Sequence, residues 1–277
     1  MWTSFEGKSE IKSNLKLIYD LLMIFFPSIA YFFQIMKMKQ LKSSTGFSKY
    51  LCLFALIVNI LKIFQLIGIQ LYFPSLFQSI LIIISQLYLI HVYIEYEEDF
   101  PITNEKTIKE YLTNWKETLN PKKLWNWEYE IEYYKFTFFL IFILSIICIL
   151  IGKQHLKFYK ILAKINISLE TLIELPQIKR NFVTKNTKNL SCVMVLLWFI
   201  GDIFKTIINL IYNVPIQNIF GGIIINCEDI MLTFQVILYD ENSFINRICK
   251  GRPRYINLDD VKYSNDSNRL DFDTDKN

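Results

Sequence analysis

The chain has 277 residues, 52% of them hydrophobic and 16% aromatic, with only 8 Gly and 7 Pro. That composition excludes a polar disordered chain and an ordinary soluble domain. Its 30 Lys and Arg against 26 Asp and Glu leave a net charge of +4, which is too small for a nucleic-acid footprint; because it falls mostly in loops, it suits contact with anionic lipid.

The first residues, Trp2 to Lys16, are polar, and the apolar run that follows already has spanning length. A membrane anchor is therefore expected there and not a cleaved signal. Apolar runs approaching the roughly 20 residues needed to cross about 30 Å of hydrocarbon are read at Leu17 to Met36, Tyr50 to Leu71, Pro74 to Ile94, Tyr134 to Ile151, Phe158 to Ile178, Leu190 to Tyr212 and Val214 to Leu238. Every span should be helical, because backbone groups in lipid must be satisfied internally. The fifth is interrupted by Lys160, Lys164, Asn166, Glu170 and Glu174. It is kept as a span because an internal repeat pairs it with the first.

That repeat appears when the sequence is slid by 143 positions. Gln34 then falls on Gln177, Ile35 on Ile178, Lys42 on Lys185, Ser48 on Ser191, Leu53 on Leu196, Ile57 on Ile200, Ile60 on Ile203 and Lys62 on Lys205. Eight identities in 29 ungapped positions indicate a duplicated unit covering spans one to three and five to seven. The odd fourth span gives both units the same orientation, a parallel repeat of the kind from which transporters are built. The expected fold is an all-α membrane protein of two three-helix bundles joined by one helix. Its divisions are a first bundle at 1–95, a linker at 96–133, the connecting helix at 134–155, a second bundle at 156–240 and a polar tail at 241–277.

Loop charges predict the orientation. Lys37, Lys39, Lys42 and Lys49 follow span one, Lys179, Arg180, Lys185 and Lys188 follow span five, and Arg247, Lys250, Arg252 and Arg254 follow span seven. By the positive-inside rule these loops and the C terminus are cytosolic and the N terminus is lumenal. Lys153, His155 and Lys157, after span four, run against that trend. The linker carries an amphipathic face of Ile108, Tyr111, Leu112, Trp115 and Leu119, suited to the bilayer surface or to the ends of the spans. Trp125 and Trp127, just before span four, suit the interfacial aromatic belt. The five cysteines, Cys52, Cys148, Cys192, Cys227 and Cys249, show no paired spacing and read as packing residues. The Asn265-Asp266-Ser267 sequon falls in the cytosolic tail, where it should go unused.

Polar groups inside the spans are the candidate site, because an ionisable side chain at a helix centre costs about 2.5–3.5 kcal/mol on insertion scales. Asn166, Glu170, Glu174 and Gln177 recur at helical spacing on span five, and Trp198, Asp202, Lys205 and Asn209 on span six. Span seven adds Glu228 and Asp229, with Gln235 two turns beyond Glu228 on its face. The first unit offers Asn59 and Lys62 at the positions of Asp202 and Lys205, with Asp20 nearer the boundary. Three readings compete. Asp202 and Lys205 pair as structure, with Glu170 and Glu174 reaching bases elsewhere; or the carboxylates carry protons as a cavity alternates its access; or the stripes line a groove for lipid headgroups. Pro176 should kink its helix as a hinge, with Gln177 bonding the freed backbone. In the first unit Phe33 stands at that position, with Pro27 two turns earlier, which displaces the hinge.

Pro176-Gln177 with Asn181, Leu190-Ser191, Trp198 and Gly201-Asp202 resembles the PQ-loop repeat of cystinosin-like transporters, related to the sugar-carrying SWEET proteins. Gly46-Phe47-Ser48, Cys52-Leu53, Asn59-Ile60-Leu61, Pro74, Phe77-Gln78-Ser79, Trp125-Asn126-Trp127 and Phe204-Lys205-Thr206 look like the branch of PQ-loop repeat-containing protein 1. That resemblance implies a seven-helix fold, a Golgi and endosomal location, and phospholipid movement between leaflets in support of endosome-to-Golgi retrograde traffic. The chain departs from the family pattern where Phe33-Gln34 replaces the first Pro-Gln pair, and in the acidity of Glu170 and Glu174.

Two functions are carried forward. One is a scramblase-like protein whose partners are membrane lipids and which needs no cofactor. The other is a proton-coupled carrier of a small organic solute, an amino acid or a sugar, across an endolysosomal membrane. A trafficking scaffold using the linker is a third. No nucleophile, base and metal constellation points to an enzyme. The hinge set is Gln34, Pro176 and Gln177, and the path set is Asn59, Lys62, Glu170, Glu174, Asp202, Lys205, Glu228 and Asp229.

Overall fold

The computed structural model describes residues 3–69, 72–97, 115–118, 124–127, 129–151, 155–211 and 214–239. These form α1 (Thr3–Leu41), α2 (Lys49–Gly68), α3 (Phe73–Glu95), a single turn α4 (Trp115–Thr118), α5 (Glu130–Ile151), α6 (Leu156–Glu170), α7 (Leu175–Thr184), α8 (Cys192–Ile211) and α9 (Ile216–Tyr239). Six of them are long and apolar enough to cross a membrane: α1 from Tyr19, α2, α3, α5, α8 and α9. The protein is an all-helical, multi-pass membrane protein.

Helix boundaries obey the 143-residue register. Shifting α2 by that amount reproduces α8, shifting the start of α3 gives the start of α9, and the ends of α1 and α7 coincide. Beyond those two ends, Lys42 and Lys185 both take the left-handed conformation, φ 48° and 51°, the usual way to reverse the chain after a helix. Pro74 occupies the first turn of α3, where its missing N–H costs nothing.

In the first half α3 packs against both α1 and α2, and in the second α9 packs against α8, α6 and α7. The halves meet crosswise, α2 on α6 and α1 on α8. At the first of these crossings Gly68 lies so close to Tyr159 that an added Cβ would stand 2.0 Å from its ring. One hydrophobic core runs through both halves and includes Met38, Phe47, Leu51, Leu190, Met194 and Trp198. The opposite helix faces carry exposed apolar side chains, most plainly on the connector α5, where Ile149 and Leu150 are 78% and 80% exposed. Apolar surface of that extent suits lipid and not water.

Three expectations are corrected. The fifth span is not one helix: it breaks at residues 171–174 into α6, of 15 residues, and α7, of 10. Pro176 sits in the first turn of α7, so it starts a new helix where it was expected to kink an existing one. Its counterpart α1 is continuous, with Pro27 inside it. Trp125 and Trp127 do not form an interfacial belt. They are buried at 0% and 3% exposure among Tyr133 and Phe136, and the Trp125 indole N–H donates to the Lys49 carbonyl at 2.7 Å. An indole with a bonded N–H can be buried whole, and these two anchor the approach to α5 against α2. Of the amphipathic linker face only Trp115 is described, its ring tilted against Phe139 with the Lys135 ammonium over it; its other residues, the C-terminal tail and Cys249 lie outside the described residues. Cys52, Cys148, Cys192 and Cys227 are free thiols.

Candidate functional site

The two loops that follow α1 and α7 meet at one end of the molecule, where Gly46 faces Asn189 across the line between the halves. Each half grips the other's loop through equivalent side chains. Gln34 donates from Nε2 to the Asn189 carbonyl at 2.8 Å and accepts the Ser191 N–H at 2.7 Å. Gln177 donates to the Gly46 carbonyl at 2.8 Å and accepts the Ser48 N–H at 2.7 Å. Lys37 donates to the Leu190 carbonyl at 2.8 Å, and Arg180, at the equivalent position, donates to the Phe47 carbonyl. Gly46 has φ +90°, a conformation that favours glycine.

Both glutamines are completely buried, so each of their four bonds satisfies a backbone group that water does not reach. Gln177 adds a bond to Asn181 Oδ1 at 2.7 Å, and Asn181 in turn donates to Gln235 Oε1 at 2.9 Å. The expected bond from Gln177 to the backbone of its own helix is replaced by this clamp on the other half. Arg180, Asn181, Ser48 and Ser191 belong to it as well, and the sequence reading had not assigned them that role.

Beyond the clamp the interior opens. A polar vestibule of about 620 Å³ reaches the opposite end, where Tyr72 and Pro215 stand at its rim, and holds Lys62, Glu170, Asp202, Lys205 and Asn209 on its walls. Beside it lies a fissure of about 340 Å³ with mainly apolar walls, including Leu22, Phe26, Leu197, Ile200 and Phe204. Ile200 and Phe204 are also exposed on the outer surface. The two cavities share Met23, Lys62, Glu170, Asp202 and Lys205. At the rim the Tyr72 hydroxyl donates to the Asp20 carboxylate. Burial, aided by that carboxylate, raises the phenol above its usual range.

Lys205 does not pair with Asp202. Its ammonium bonds Glu170 at 2.6 Å, across from α8 to the end of α6, while Lys62 donates to Gln78 Oε1 at 3.0 Å. Asn59, expected on the path, bonds the Ala55 carbonyl of its own helix and borders the fissure. The break after α6 turns Glu174 away from the expected stripe and carries it to Asp202 and Asp229, the three carboxylates lying within 4.8 Å of one another. Glu228 is buried next to Asp229, with one oxygen unbonded.

The 143-residue register also puts Tyr31 on Glu174 and Gln86 on Asp229. Both are buried; Tyr31 is an electrostatic neighbour of Glu174 and Asp202 and shares a side-chain hydrogen bond with Gln86. Extending the register back in the first span and on into the third pairs them: an acidic trio in one half answers Tyr31, Asn59 and Gln86 in the other. Residues 158–218, which run from α6 into the start of α9, match the PQ loop repeat family.

Proposed function

We propose that this protein moves phospholipids between membrane leaflets by letting a headgroup enter the vestibule while the acyl chains stay in the fissure and the bilayer. One observation carries the reading: a polar cavity and an apolar, membrane-facing cavity share a wall of Lys62, Glu170, Asp202 and Lys205. An amphiphile needs that pairing, since burying a headgroup without polar partners is costly and exposing an acyl chain to water equally so. Lys62 and Lys205 suit the phosphate. The clamp of Gln34 and Gln177 closes the far end, so passage requires the two loops to part. On this reading the clamped end and the C terminus are cytosolic, the N terminus is lumenal, and the protein acts in Golgi and endosomal membranes in support of retrograde traffic. The resemblance to the branch of PQ-loop repeat-containing protein 1 and the basic loops support that placement. The test is a leaflet-accessibility assay on labelled phospholipid in liposomes containing only this protein. Transfer well above protein-free liposomes is expected, and its absence overturns the proposal.

A second reading is favoured by the one-ended shape of the vestibule, whose volume falls in the range of small-molecule sites. A proton-coupled carrier of an organic solute would use Glu174 and Asp202 as proton acceptors. It predicts pH-driven uptake that is lost in Glu174→Gln or Asp202→Asn, with no movement of labelled lipid.

A further inference from the structure

The vestibule divides at the wall it shares with the fissure. On that wall Lys62 and Lys205 stand with Glu170 and Asp202, two positive charges against two negative. Beyond it, where the vestibule alone is lined, the balance is lost: α6 presents Lys160 and Lys164, one helical turn apart, and the described residues of that part of the wall include no carboxylate. Neither lysine has a hydrogen bond or ion pair to another described residue. The remaining polar wall is neutral, with the amides of Gln65, Asn166, Asn209 and Asn218. Asn166 is only 3% exposed, and its Oδ1 has no partner among the described residues. A buried amide oxygen is rarely left so. Asp20, at the rim, already accepts the Tyr72 hydroxyl.

We propose that the vestibule selects phospholipids whose headgroup carries a phosphate and no amine, the glycerol and inositol types, over those ending in choline or ethanolamine. This rests on the lipid reading above: with the acyl chains in the fissure and the phosphate at Lys62 and Lys205, the distal end of the headgroup lies beyond the shared wall. An ammonium there meets two uncompensated lysines and no carboxylate. A hydroxyl instead meets amides that both donate and accept. The unbonded Asn166 Oδ1 needs a donor, which a polyol hydroxyl supplies. A choline has no N–H or O–H to give it, and an ethanolamine ammonium reaches it only against the repulsion of Lys160 and Lys164. Specificity of this kind comes from repulsion as much as from attraction. A water-soluble glycerophosphate has the same chemistry without the chains, so the test separates the two.

The test uses the full chain in liposomes of equal parts phosphatidylcholine and phosphatidylglycerol, with a trace of one or the other labelled on an acyl chain. Wild type is expected to move labelled phosphatidylglycerol at least about fivefold faster than labelled phosphatidylcholine. In Lys160→Gln/Lys164→Gln and in Asn166→Leu that ratio should fall below about twofold. Lys42→Gln/Lys188→Gln, which removes two exposed lysines at the clamped end, should keep it. The ratio does not depend on how much protein folds and inserts, so a loss of folding alone leaves it unchanged. Equal rates for the two lipids in wild type overturn the selectivity and leave lipid movement standing. So does a ratio that survives the vestibule substitutions, or one lowered equally by the clamped-end pair. Movement of neither lipid overturns the lipid reading itself. Uptake of labelled glycerol 3-phosphate without lipid movement assigns the site to a soluble organic phosphate, against the proposal.

Discussion

At equivalent positions the two halves differ in one place and agree in another. The clamp's side-chain bonds to the facing loop's backbone are matched, Gln34 and Lys37 on one side answering Gln177 and Arg180 on the other. The interior is not: Tyr31, Asn59 and Gln86 face Glu174, Asp202 and Asp229. Backbone groups at the meeting loops need the same partners in both copies, whatever the cargo. The centre has no such requirement, and there one half gathers charge while the other stays neutral.

Substitutions at matched positions can break or sharpen this comparison. The largest effect is expected from Gln177→Leu, which leaves the Ser48 N–H, the Gly46 carbonyl and Asn181 Oδ1 unbonded. At about 1–3 kcal/mol for each orphaned buried group, a loss on the order of 4 kcal/mol follows. Gln34→Leu orphans only Asn189 and Ser191 and should lose about 3 kcal/mol, in thermal or denaturant unfolding of the purified protein. A clamp in which only one of the two matters would break the symmetry argued here.

Lys205→Met comes next. It leaves Glu170 without its ammonium partner, and partial exposure of the pair, 31% and 25%, reduces the cost of a broken buried ion pair to about 2 kcal/mol. Lys62→Met, which strands the neutral Gln78 amide and removes only an unbonded attraction to Glu170 and Asp202, should cost about half as much in the same unfolding experiment. Gly68→Ala tests the crossing of α2 on α6, where the new methyl meets the Tyr159 ring. A loss of about 2 kcal/mol is expected from overpacking, against less than about 1 kcal/mol for Gly201→Ala, whose methyl would stand 3.0 Å from the Phe26 ring. Smallest is Tyr72→Phe at the exposed rim, expected to change stability by about 0.5 kcal/mol.

Much of this architecture could be read in the residues, because a duplicated unit imposes a register that survives divergence. The 143-residue shift paired Lys42 with Lys185 and Gln34 with Gln177, while the expected span ends at Met36 and Ile178 fell short of the helix ends at Leu41 and Thr184. The helix break before Pro176 was harder to read, since Asn166, Glu170, Glu174 and Gln177 keep helical spacing across it. Periodicity cannot distinguish one helix from two that are nearly in phase. Trp125 and Trp127 were misplaced because a tryptophan near a span end looks the same from sequence whether its N–H meets water or a buried carbonyl. Glu170 as the partner of Lys205 could not be read either, for it depends on how α6 and α8 cross. Gln86 falls on Asp229 in the same register, but no residue is identical there to mark the pair.

The central claim is that the acidic half forms the working path and the neutral half its scaffold. Its most direct test measures labelled-lipid transfer in liposomes with matched variants at one equivalent position, Asp202→Asn and Asn59→Ala. The account predicts transfer by the wild type, a drop of about tenfold in Asp202→Asn, worth about 1.4 kcal/mol of barrier, and a rate within about twofold of wild type in Asn59→Ala. Equal losses at both positions, or transfer untouched by Asp202→Asn, would contradict it.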